Sequence, residues 1–189
     1  KIIEKSRYQF QFVDLGGGMG INYNNSKKRL SLKKYSILIK KFLKKQKCQI
    51  IFEPGRSIIG NSGILISKVI YIKESSKKDF VILDAAMNDF MRPALYNATH
   101  RIIPVKMSIK KSKKRYEFVG PICESTDKFA IFKNFQKLKE KDLVIILDVG
   151  AYGMSLSSNY NLRPKVTELL IKNSKIRIIG KRQKLKDLI

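Results

Sequence analysis

Asp84-Ala-Ala-Met-Asn-Asp-Phe-Met-Arg-Pro-Ala-Leu-Tyr96 lies between two apolar, β-rich runs, residues 80–83 and 102–108. The segment is a polar loop that sets Arg92 four residues before Tyr96, beside a proline that stiffens the turn. Outward from it, further short β-rich runs occur at 64–72, 116–119, 143–149, 166–171 and 176–179, separated by charged or Gly/Pro turns. This rhythm predicts a mostly antiparallel β domain, a barrel or sandwich, over residues 64–189. Lys110-Lys-Ser-Lys-Lys114 is predicted to be an exposed hairpin tip.

Before residue 63 the character differs. Residues 9–13 form an apolar run that enters a glycine loop, which reads as strand then turn. Leu32, Tyr35, Leu38, Ile39, Phe42 and Leu43 then fall on one stripe of a helix, with lysines opposite. Residues 49–52 read as a buried strand ended by Glu53-Pro54-Gly55. A strand–loop–helix–strand order suits the end of a parallel (β/α) barrel, whose functional groups sit on loops after the strands. The fold class expected is therefore α/β + β: residues 1–63 as an incomplete barrel end, then a β domain. Two βα units cannot close a barrel, so residues 1–63 should expose strand edges and half a core. The chain thus reads as the carboxyl-terminal piece of a longer protein, an expectation in keeping with its lack of an initiator Met.

The 189 residues carry a net charge of +25. Lysines outnumber arginines 31 to 9, whereas phosphate and base-edge recognition favours arginine's planar fork. The lysines are scattered over helix faces and turns, so no nucleic-acid partner is expected. A basic nucleic-acid-binding module without chemistry is the competing class, and it requires steeply salt-dependent binding. No run approaches the roughly 18 apolar residues of a membrane helix. Two cysteines and one histidine are too few for a usual structural zinc site, and no metal is expected. A cytoplasmic setting is the default.

Four further polar islands accompany the opening segment: Asp14-Leu-Gly-Gly-Gly-Met-Gly20, Glu53-Pro-Gly-Arg56, Gly120-Pro-Ile-Cys-Glu-Ser125 and Gly150-Ala-Tyr-Gly153. The glycines around Gly18 let backbone N–H groups approach an oxyanion, or they make a tight turn. Ile21 stands where a dinucleotide fingerprint needs its third glycine, and no Walker lysine follows. Glu53 can pair with a protonated ring nitrogen, while Gly55 and Arg56 offer a backbone donor and a carboxylate fork; a proline turn with a surface ion pair is the alternative. Arg92 and Tyr96 read as a carboxylate clamp or as a packed loop pair. His100 reads as a base or as a hydrogen-bonded residue behind a site. Cys123 beside Glu124 is a proton donor near a carboxylate, or a small buried thiol. Tyr152, between two glycines, is a phenol pressed on a ligand, or a packing residue.

In their order the five islands resemble the pyridoxal-phosphate-dependent diaminopimelate decarboxylases, which make L-lysine and CO₂ from meso-diaminopimelate. The resemblance runs from about residue 12 to the carboxyl end and includes Asn159-Tyr-Asn-Leu-Arg-Pro164. It implies an alanine-racemase-like barrel joined to a β domain, pyridoxal 5′-phosphate as cofactor, and a homodimer with active sites at the interface. It also implies roles: Gly18, Gly55 and Arg56 at the cofactor phosphate, and Glu53 at the pyridine nitrogen. Arg56, Arg92 and Tyr96 would hold a substrate carboxylate and Glu124 the distal ammonium, with Cys123 as proton donor and Tyr152 touching cofactor and substrate. The lysine that bonds the cofactor is expected upstream of residue 1. Ala86 and Thr126 depart from the usual glycines; Ala86 would be strained if its backbone needed a positive φ. Within the same fold, ornithine, arginine or carboxynorspermidine decarboxylation is the nearest alternative.

Overall fold

A computed structural model of the chain describes residues 5, 6, 8–23 and 30–189. Near the amino end, strands β1 (Phe12–Asp14) and β2 (Gln49–Ile51) pair in parallel, with Phe12 opposite Gln49 and Asp14 opposite Ile51. Helix α1 (Leu32–Leu43) connects them. It starts where expected, because the Ser31 hydroxyl accepts from the Lys34 backbone N–H at 3.3 Å. The apolar stripe of α1 has little to cover it. Its only ring contact is Tyr35 against Phe52 at 5.9 Å among the described residues, and Leu38 stays 64% exposed. No described residue before Gly60 is buried.

The core belongs to a six-stranded mixed sheet. Its strands are β3 (Leu65–Lys73), β4 (Lys78–Leu83), β5 (Ile102–Pro104), β6 (Arg115–Val119), β7 (Lys128–Phe132) and β8 (Leu143–Ile146), in the order β5-β8-β3-β4-β6-β7. Four neighbour pairs are antiparallel, while β4 and β6 run parallel, Lys78 opposite Arg115. A parallel pair needs a long crossover, and residues 84–114 provide it with the polar island at its start. Val69, Val81, Leu83, Phe90, Phe118, Phe129, Val144 and Ile146 pack as one cluster beneath the sheet. Burying each such side chain contributes roughly 1.5–3 kcal/mol relative to exposure. Stability therefore resides after residue 60.

Several expectations change. The strand at 49–52 is not buried, with Ile51 42% and Phe52 37% exposed, because no further barrel strand or helix covers it among the described residues. The run 102–108 is a strand only to Pro104; Val105 still donates to the Leu143 carbonyl, and then the chain leaves the sheet. Residues 110–114 are no hairpin tip, because β5 lies at one edge of the sheet and β6 beside the other. Instead Ser112 is buried and donates its backbone N–H to Phe135 O at 2.8 Å, and Lys111 bridges to Gln136. Strand β7 was not foreseen at all. Finally, β9 (Glu168–Lys172) and β10 (Lys175–Gly180) form a separate hairpin. Asn173 and Ser174 turn it with φ of 49° and 62°, the paired positive values of a two-residue hairpin loop. Leu169, Ile171, Ile176 and Ile178 are each more than half exposed.

Candidate active site

The glycine loop and the Glu53 loop leave β1 and β2 side by side. The ladder extends past both strands: Leu15 N donates to Ile51 O at 3.0 Å and Glu53 N to Gly16 O at 2.9 Å. Gly17 is pressed against this junction, since a Cβ there would stand 2.5 Å from the Glu53 carbonyl oxygen. Gly18 has φ of +74°, and nothing lies within 4 Å of the place its Cβ would take. The loop therefore offers open backbone on that side.

Gly55 begins the short helix α2 (Arg56–Ile59). The following turn docks on the loop after β8, where Gly150 N donates to Gly60 O at 3.0 Å and Val149 N to Gly63 O at 2.9 Å. A Cβ on Gly63 would meet the Gly150 backbone at 2.6 Å, so this glycine-on-glycine contact sets the approach. It carries Tyr152, at φ of 59° and half-exposed, to within 3.7 Å of the Cβ position of Gly55.

Arg56 and Arg92 converge on one phenol. The Arg56 guanidinium carbon lies 5.9 Å from the Tyr23 ring centre and that of Arg92 4.8 Å. Arg92 opens helix α3 (Arg92–Tyr96), is 6% exposed, and donates Nη1–H to the Tyr23 hydroxyl at 2.7 Å. The same Nη1 is 2.8 Å from His100 Nε2. His100 Nδ1 lies 2.9 Å from the Leu147 carbonyl oxygen. A carbonyl only accepts, so Nδ1 carries the proton and Nε2 is the acceptor for Arg92. The imidazole packs edge-on between Tyr23 at 4.7 Å and Phe90 at 4.6 Å. Burial, aided by Arg92, holds the His100 pKa below its ordinary 6.5 against the Leu147 bond and Asp148.

A sign follows for stability. A histidine with a depressed folded pKa contributes fully above its unfolded value and loses that contribution as pH falls towards the folded one. Thermal unfolding followed from neutral pH downwards should therefore show a decline beginning near 6.5. His100→Gln should flatten that decline; an equal slope in the variant would refute this account.

The Asp84–Phe90 stretch is fastened at both ends. Asp84 Oδ1 accepts from Ser67 Oγ at 2.6 Å and Lys68 N at 2.8 Å. Arg163 reaches it from the closing segment, donating from Nε to Asn88 Oδ1 at 2.9 Å and from Nη2 to Asp84 O at 2.6 Å. Its Nη2 is also 3.6 Å from Asp89 Oδ2. Ala86 is fully buried and is not among the residues with positive φ, so alanine there carries no backbone strain.

Cys123 and Glu124 stand on the turn between β6 and β7, Cys123 exposed and Glu124 half-buried. Asp127 organises the turn. Its Oδ2 accepts from Ile122 N at 2.8 Å, and its Oδ1 accepts from Met87 N at 2.7 Å. The Cys123–Glu124 turn is thereby tied to the Asp84–Phe90 loop. Burial raises the Asp127 carboxyl above its usual pKa, against these two backbone donors.

The described contacts thus set Gly16 and Gly17 beside Glu53, Gly55 beside Tyr152, and Arg56 with Arg92 at Tyr23. They join Cys123 and Glu124 to Met87 but not to the two arginines. Tyr96 is 60% exposed on α3, and the phenol against Arg92 is Tyr23 instead. Tyr23 and Asp127 were not singled out in the sequence, and Arg163 stood there only within the closing segment 159–164, without a role. Among the described residues no group of three or more His, Cys, Asp or Glu is placed to hold a metal ion. No helix among them is long and apolar enough to cross a membrane.

Residues 10–150 match the family described as the pyridoxal-dependent decarboxylase, C-terminal sheet domain. The chain belongs to this family. It is 42% identical over 176 residues to the diaminopimelate decarboxylase of Aquifex aeolicus, covering 93% of this chain and 42% of that protein. With the Zymomonas mobilis diaminopimelate decarboxylase it shares 44% identity over 188 residues, 99% of this chain and 44% of the relative. The crystal structure of Helicobacter pylori diaminopimelate decarboxylase complexed with L-lysine superposes with a TM-score of 0.83 at 44% identity, over 94% of this chain and 43% of that one. The chain spans less than half the length of the relatives it matches.

Proposed function

We propose that the chain is the carboxyl-terminal part of a diaminopimelate decarboxylase, which removes CO₂ from meso-2,6-diaminopimelate to leave L-lysine. The observation that carries this reading is the pair Arg56 and Arg92 converging on the Tyr23 ring. Two arginines gathered at one ring suit a carboxylate at the end of the substrate remote from the chemistry. An ornithine-type side chain ends there in an ammonium, which the same arginines would repel.

The residues present fit pyridoxal 5′-phosphate. Gly18 has open backbone and Gly55 lies beside Tyr152, while Arg56 Nε is buried without a partner among the described residues. Gly18, Gly55 and Arg56 would hold the phosphate, Glu53 the ring nitrogen, and Tyr152 would contact cofactor and substrate. When bound, the cofactor supplies an electron sink for the pair released as CO₂ departs. Arg56, Arg92 and Tyr96 would hold the unreacting carboxylate, and Glu124 the distal ammonium. Cys123 Sγ would deliver the proton that replaces CO₂. No lysine of this chain is assigned to bonding the cofactor.

We place the end of a (β/α) barrel in residues 1–63 and a β domain in 64–189. The uncovered stripe of α1 supports this division, since in a closed barrel it would be packed. Limited proteolysis of the 189-residue chain should cut within residues 1–63 well before 64–189; equal resistance would overturn the division. The active unit is proposed to be a cytoplasmic homodimer, with Cys123 and Glu124 serving the other subunit's site. Their separation from the arginine pair supports an arrangement between copies.

The test uses the full-length protein. Visible absorbance of bound pyridoxal phosphate, with release of CO₂ and L-lysine from meso-diaminopimelate, is expected. Turnover of ornithine instead would change the substrate. Absence of cofactor together with steeply salt-dependent nucleic-acid binding would reject the enzyme.

A further inference from the structure

We propose that His100 is a positioning residue for the substrate-carboxylate site: its neutral imidazole, hung from the Leu147 carbonyl, fixes the guanidinium of Arg92 against Tyr23. The inference rests on the decarboxylase reading of that site. Four groups form one line: Leu147 O, His100, Arg92 and Tyr23, joined by contacts of 2.9, 2.8 and 2.7 Å. Both His100 and Arg92 are buried, at 2% and 6% exposure. An arginine side chain free of such a line samples many rotamers; this one is held by one acceptor on each side of Nη1. His100 itself cannot swing, because Tyr23 and Phe90 pack edge-on against its ring.

The line works only with one protonation state. A proton on Nε2 would turn the acceptor into a donor and set two cations in contact. The charged and titratable groups that face His100 are Arg92, the Tyr23 hydroxyl and Asp148. Asp148 is itself 3.6 Å from Arg101 Nη2. Asp148 favours the imidazolium, but its pairing with Arg101 leaves Arg92 the nearer charge. Acidification therefore releases Arg92 without altering the residues that touch the cofactor.

L-Lysine retains the carboxylate that does not react, whereas cadaverine has none. In the full-length, cofactor-loaded enzyme, His100→Leu should weaken inhibition by L-lysine and raise the KM for meso-diaminopimelate by about 10²-fold. The kcat should change far less, and any weak inhibition by cadaverine should be unaffected. His100→Gln restores an acceptor near Nε2 and should recover most of the loss. Its kcat/KM should also lack an acid limb that the wild type shows below neutral pH. If His100→Leu does not fold, the His100→Gln rescue and its pH profile decide alone. Wild-type turnover with unchanged L-lysine inhibition in a folded His100→Leu, or an identical acid limb in His100→Gln, would overturn the proposal. An inactive wild type would instead count against the decarboxylase reading.

Discussion

Arg92→Ala in the full-length enzyme should lower kcat/KM for meso-diaminopimelate by about 10³-fold, since losing one partner of a buried, hydrogen-bonded charge pair costs about 2–5 kcal/mol. Arg92 is 6% exposed, so its positive charge stands where water cannot replace it. Truncation removes the charge and strands two neighbours, His100 Nε2 and the Tyr23 hydroxyl, that were shaped around it. The folded protein should persist, because none of those groups belongs to the main apolar cluster. Arg92→Lys tests the geometry apart from the charge. A lysine delivers one point charge and cannot reproduce a planar fork, so a loss of about 10–10² is expected. Steady-state kinetics with thermal unfolding as the control would measure both. Unchanged kinetics in Arg92→Ala would remove the substrate assignment.

The second large effect is on stability. Asp127→Ala should destabilise the fold by about 3 kcal/mol, from two backbone donors left without acceptors at about 1–3 kcal/mol each. Those donors, Ile122 N and Met87 N, lie on different loops, and Asp127 is 3% exposed between them. Asp127→Asn should fall between wild type and alanine, because one amide oxygen still accepts while the amino group faces an N–H. Gly120→Ala should resemble Asp127→Ala, since its Cβ would intrude on the same carboxylate. Denaturant unfolding measures the first effect. Loss of catalysis beyond that explained by unfolding would measure how far the Cys123–Glu124 turn has moved. A midpoint within error of wild type for Asp127→Ala would show that the two loops hold themselves.

The sequence made the sheet's longer strands legible, because residues 64–72, 80–83, 116–119 and 143–149 alternate or run apolar between clear breakers. It concealed β7, whose Lys128-Phe-Ala-Ile-Phe132 is short and closely followed by another charged turn. It also concealed the parallel pairing of β4 with β6, because strand direction depends on where the crossover lands rather than on local pattern. At the site, glycine islands and Arg92 were visible since their chemistry is local. Their partners were not. Tyr23 lies 69 residues from Arg92, Met87 lies 40 from Asp127, and Asn88 lies 75 from Arg163. No spacing rule links such distant positions. Only the strand order brings them together: Tyr96, the aromatic neighbour in sequence, stays exposed, while the hydrogen bond to Arg92 comes from Tyr23.

Strand β8 lies between β5 and β3 although it is made after both. As the chain leaves the ribosome, those two strands cannot join each other and must wait for residues 143–146. Contacts between residues so far apart in sequence slow folding. The Leu147 carbonyl that orients His100 arrives in the same step. Until that late strand is seated the nascent chain has a loose edge where Arg92 will be, so a chaperone that shields this edge would act before Arg92 is held in place.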